Sequence, residues 1–79
     1  MKEETLLYLN EALEDDDQRS FLAALGDIAT ERSISQISEN AGIPVDELNA
    51  IFSGRSDPLF VDILNIAKAA GLKIHFTGA

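Results

Sequence analysis

Residues 33–54 read SISQISENAGIPVDELNAIFSG, and the fold turns on this stretch. Ser33 and Gln36 form a capping-box pattern. A serine hydroxyl accepts from the N–H three residues on, where a long amide side chain can reach back. A short helix is therefore expected over about 34–40. Ala41-Gly42-Ile43 then makes a turn, because Gly42 takes positive φ with no Cβ to clash. Pro44 opens the next helix, since a proline at the first helical position gives up no intrahelical hydrogen bond. Leu48, Ile51 and Phe52 mark its apolar side, and Gly54 ends it. Two short helices about a tight glycine turn make a helix-turn-helix pattern, here 34–53. Many small helical bundles share such a corner, so the flanks have to decide what it is.

Upstream, Leu6, Leu9 and Leu13 recur at helical spacing, and Glu3 and Glu4 suit the positive end of a helix dipole. These place a helix over roughly 3–14. Asp15-Asp16-Asp17 interrupts it. Three consecutive acids lack the alternating spacing and closing glutamate of a calcium loop, and Asp16 or Asp17 serves better as the N-cap of the next helix. That helix runs from about Gln18 to Glu31, with Phe21, Leu22, Leu25, Ile28 and Ala29 as its buried stripe. Gly26 inside it costs helix propensity, which predicts the close approach of another helix. Tyr8 is expected in the core with its hydroxyl at the rim.

Downstream, Asp57-Pro58 repeats the start signal for a helix over about 58–70, closed by Gly71. Leu72-Lys73-Ile74-His75-Phe76 then alternates apolar and polar, a strand pattern. A lone strand leaves its backbone groups unpaired, so strand 72–76 is expected to pair with the same strand of a second copy, with Leu72, Ile74 and Phe76 at the dimer interface. A core this small supplies only about 3–5 kcal/mol, and association is a usual remedy. The alternative is that 72–76 folds back over the helices.

Composition narrows the function classes. Seventy-nine residues make a single domain, 1–79. The chain has no cysteine and one histidine, so neither a thiolate metal site nor a two-histidine acid–base pair can be built. No apolar run reaches the length of about 20 residues that a membrane span needs. Met1-Lys2-Glu3-Glu4 is too polar to begin a secretory signal. The expectation is a cytoplasmic protein without cofactor, bound metal or membrane segment, and not an enzyme. The net charge is −8, unevenly spread. Residues 1–31 carry nine carboxylates against two cations, 32–57 four against two, and 58–79 one against two. Tight non-specific DNA binding needs a basic stripe instead, whereas specific reading through a small neutral face does not.

YLNEALEDDD at 8–17, FLAALGDIA at 21–29, SQISENAGI at 35–43 and SGRSDPLFVDILNIAKAAGLKIHF at 53–76 follow one another at tight spacing. In this order they resemble the family of probable addiction-module antidote proteins, antitoxins with a lambda-repressor-like (Xre/Cro-type) helix-turn-helix. The resemblance spans nearly the whole chain. It implies an all-helical DNA-binding domain that represses its own operon and neutralises a small toxin of the ribonuclease type. Caps, periods and family pattern together give an all-α domain of five helices, to which the alternation of 72–76 adds a short C-terminal β-strand. Ser35 and Gln36 match the start of the positioning helix, where an amide and backbone N–H groups hold a phosphate. Ser53 matches the end of the recognition helix.

The recognition helix departs from the family pattern. Pro44-Val45 stands where Ser-Arg is common, Asn49-Ala50 where a Tyr-Lys or Tyr-Arg pair is common, and Glu39 where an arginine is common. Three cationic contacts are thereby missing, and Asp46 and Glu47 add negative charge. Several residues keep two readings. Asn49 is an adenine contact or a solvated surface amide. Arg55 reaches a phosphate or pairs with Asp57, and Arg32 is likewise a phosphate contact or a surface cation. Val45 touches a thymine methyl or sits at the core rim, and His75 is a surface histidine. Two function classes follow. One is a dimeric antitoxin-type regulator reading operator DNA. The other is a protein-binding module on the same fold that docks a basic partner through its acidic N-terminal helices, with DNA binding weak or lost.

Overall fold

A computed structural model describes residues 3–76 and 78. Among these it contains five α-helices: α1 Glu3–Leu13, α2 Gln18–Arg32, α3 Ile34–Ala41, α4 Val45–Phe52 and α5 Phe60–Ala69. Met1 and Lys2, on which the leader argument partly rested, lie outside the described residues. No helix among the described residues is long and apolar enough to cross a membrane.

Local chemistry explains most of the boundaries. Asp17 caps α2, its carboxylate accepting from the Arg19 N–H at 3.0 Å. Asp15 accepts from the Asp17 N–H at 2.9 Å, so two of the three acids organise the turn between α1 and α2. Ser33 caps α3 by accepting from the Gln36 N–H at 3.4 Å, which is one half of the expected capping box. Gly42 ends α3 at φ 71, the left-handed region that a Cβ disfavours. Pro44 stands just ahead of α4, and its carbonyl accepts from the Leu48 N–H at 3.0 Å.

The start of α5 departs from expectation. Asp57 and Pro58 lie outside the helix, which begins at Phe60. The capping group acts from inside: the Asp62 carboxylate reaches back to accept from the Leu59 N–H at 3.2 Å. An acid at the third helical position thus takes the N–H of the capping residue itself, the half of a capping box that needs no polar side chain on Leu59.

The packing centres on α2. Helix α1 lies on α2, α2 on α3 and α4, and α3 on α5. The main core gathers Leu25, Ile37, Ile43, Leu48, Ile51 and Ile66, with small residues between them. A second cluster of Leu9, Ala24 and Ile28 joins α1 to α2, and Leu72 touches both. Gly26 is where the close approach occurs. A Cβ there would stand 2.7 Å from the Phe52 Cβ, so the missing side chain admits the end of α4 against α2.

The C-terminal β-strand expected over 72–76 is not present; every element among the described residues is helical. The reason lies in how α5 ends. Gly71 takes φ 81, its N–H donates to the Lys68 carbonyl at 3.0 Å, and the Leu72 N–H donates to the Ala67 carbonyl at 2.8 Å. That is a Schellman termination, whose next residue is habitually apolar and turns back onto the helix. Leu72 is thus spent on the domain's own core, and residues 73–76 are exposed. An alternating pattern with no neighbouring strand has nothing to bond to.

Candidate nucleic-acid interface

The corner between α3 and α4 is built from backbone and one hydroxyl. The Gly42 and Ile43 N–H groups donate to the Ser38 carbonyl at 2.9 and 3.2 Å. The Ser38 hydroxyl in turn donates to the Ile43 carbonyl. The turn is therefore closed from both sides, with Ile37, Ile43, Leu48 and Ile51 buried beneath it. Ser38 escaped the sequence reading. Its only signal was a serine five residues ahead of the apolar residue that follows the glycine.

Helical spacing divides α4 cleanly. Leu48 and Ile51 face inward and are buried, while Asp46, Asn49 and Ser53 are exposed, with Ala50 half-buried beside them. Positions 46, 49, 50 and 53 follow the i, i+3, i+4, i+7 rule and share the outward stripe. Ser53 and Arg55 come together at its end: the Ser53 hydroxyl donates to the Ala50 carbonyl at 3.2 Å and accepts from Arg55 Nε at 2.9 Å. Arg55 is therefore held by Ser53 rather than by Asp57. Val45 is half-buried at the edge of this stripe, which suits the core-rim reading.

Helix α3 presents Ser35, Gln36, Glu39 and Asn40 to solvent. Arg32, Ser33, Gln36, Ile37, Asn40 and Ala69 line a shallow depression of about 220 Å³. The Arg32 guanidinium leans toward the end of α5, since a Cβ on Gly71 would stand 3.4 Å from its Nη1. The outward stripe of α4 carries Asp46 and no cation, with Glu47 exposed on the same helix.

The charged N-terminal part has its own geometry. One ion pair occurs among the described residues, Arg19 to Asp17 at 2.8 Å. Hydrogen bonds from the Arg19 side chain, and then from its backbone, hold the Asp17 carboxyl below the usual aspartate range. The bond to Asp17 in turn raises Arg19 further. The Tyr8 hydroxyl donates to Asp27 Oδ2 at 2.8 Å and so ties α1 to α2. That bond pushes the phenol upward, because ionising it would give up the proton donated to Asp27; desolvation and the nearby negative charge of Asp27 add to the effect in that order. Tyr8 itself is exposed rather than in the core. No group of three acidic or histidine side chains among the described residues is placed to hold a metal ion.

A family model described as "Probable addiction module antidote protein" matches residues 1–78. A protein of Haemophilus influenzae, described as an uncharacterized protein, is 43% identical over 74 residues, covering 94% of this chain and 76% of the relative. No solved structure matches the chain.

Proposed function

The chain belongs to the family of probable addiction module antidote proteins, and from that premise we propose that it is a cytoplasmic antitoxin that reads its own operator and neutralises a cognate ribonuclease-type toxin. A cognate toxin is the partner the family implies. The observation that carries the DNA reading is the α3–α4 corner, which supports a lambda-repressor-like helix-turn-helix. A rigid turn closed by Ser38 presents one outward stripe on α4, ending in the Ser53–Arg55 pair.

In this reading α4 enters the major groove. Asn49 bonds an adenine edge, Val45 lies at the edge of the base contacts, and Arg55 meets a phosphate. Ser35 and Gln36, at the start of α3, hold a second phosphate. Two copies would set their α4 helices roughly 34–36 Å apart to read a palindrome. The exposed side chains of Ile74 and Phe76, next to half-buried Leu72, are the proposed contact between copies.

The protein-binding reading is favoured by a different observation. Glu39, Asp46 and Glu47 are all exposed on the two helices that would approach phosphate. They weaken DNA binding electrostatically, while the acidic α1–α2 region suits a basic toxin. Both activities fit one chain, and mutation separates them. Replacing Asn49 and Arg55 together by alanine is expected to lower operator affinity at least about tenfold, since a bidentate base contact contributes about 1–3 kcal/mol. Toxin binding should stay unchanged. Unchanged operator affinity in a gel-shift titration of the double variant would remove this DNA face.

A further inference from the structure

We propose that the groove between the end of α1, the start of α2 and the 54–58 loop is the docking site for a lysine- or arginine-bearing apolar segment of the cognate toxin. The proposal rests on the antitoxin reading and assigns that function a place. The groove holds about 490 Å³. Phe21, Leu22 and Ile63 line it, and Leu13 stands at its mouth 60% exposed. Asp15 and Asp57 lie on its rim.

The rim decides the occupant. Arg19 also lines the groove, but its guanidinium is engaged by Asp17 at 2.8 Å. Glu14, Asp15, Asp16 and Asp57 are exposed, and none is ion-paired among the described residues. An apolar cleft with an acidic edge fits an apolar anchor side chain flanked by cations. A second copy of this chain fits this groove poorly, because a two-fold contact here would set the acidic edge against its own counterpart. A ribonuclease must hold RNA with cations, so a basic surface is part of its chemistry.

The probe is the purified product of the gene next to this chain's own, which the antitoxin reading expects to encode the toxin, titrated against the full chain and three variants. Leu13→Glu places a charge at the mouth, and Asp57→Lys reverses the rim. Leu7→Glu makes the same apolar-to-acid change at a residue that is 59% exposed and does not line the groove. Loss of a buried anchor is expected to weaken binding by about tenfold or more for Leu13→Glu. Asp57→Lys should slow association and flatten its salt dependence. Leu7→Glu should bind as wild type, and equal helicity and melting of all three would show that folding is not the cause. Wild-type affinity in both groove variants, with the wild-type chain still neutralising the toxin, would overturn the groove and leave the antitoxin reading standing. Failure of the wild-type chain to bind the toxin would overturn both. Loss of self-association in Leu13→Glu, with toxin affinity unchanged, would assign the groove to a second copy and so overturn the proposal.

Discussion

At position 26 a hydrogen atom stands where a methyl group would meet the Phe52 Cβ at 2.7 Å and its Cγ at 2.8 Å. Helix propensity alone favours alanine there by about 0.8–1 kcal/mol. The contact outweighs it, because neither a backbone-proximal carbon nor α4 can yield cheaply in a packed core. Gly26→Ala is therefore expected to destabilise the fold by about 1–3 kcal/mol, read as a lower urea midpoint at constant slope. An unchanged or raised midpoint would mean that α2 and α4 part at little cost. The glycine was legible in the sequence as a helix residue with a price attached. Its partner was not, since nothing local ties Gly26 to a residue 26 positions on. Tyr8 shows the converse limit. Its helical position was legible, but an acid nineteen residues away holds its hydroxyl at the surface.

Among the elements, four of the five helices begin within about a residue of where caps and apolar spacing placed them, because each start is set by groups within three or four residues. The fifth shifts because two local signals compete. Asp57-Pro58 reads as a start, yet Asp62 caps the chain from within. The tail failed for a related reason. Leu72, Ile74 and Phe76 alternate like a strand, but Leu72 answers to the termination of α5, and its apolar side chain fills a gap between both core clusters. Leu72→Ala should then cost about 1–3 kcal/mol in the dilute monomer. Phe76→Ala, at a residue 86% exposed, should stay within about 0.5 kcal/mol. Thermal melts of the two variants at low concentration check this. Equal losses would show that the tail folds as a unit rather than hanging from Leu72.

Over the whole molecule, −8 of net charge sits on a body of 34 × 25 × 20 Å. At about 0.1 M salt the screening length is about 10 Å, so most of α1 is felt weakly at the α4 stripe, while Asp46 is felt strongly. The α3–α4 corner was readable from residues 33–54 because it is a local device, and the stripe on α4 followed from period. The groove was not readable, for it assembles the ends of α1, α2 and α5 with the loop before α5. The central claim is that this acidic chain reads sequence through few phosphate contacts. Binding of the purified protein to its own upstream DNA, with a scrambled duplex beside it and salt as the variable, tests that claim most directly. The account predicts preference for the native duplex and a shallow salt slope, about −0.9 for each of the few phosphates met. Absence of binding at low salt, or equal binding to the scrambled duplex, would contradict it.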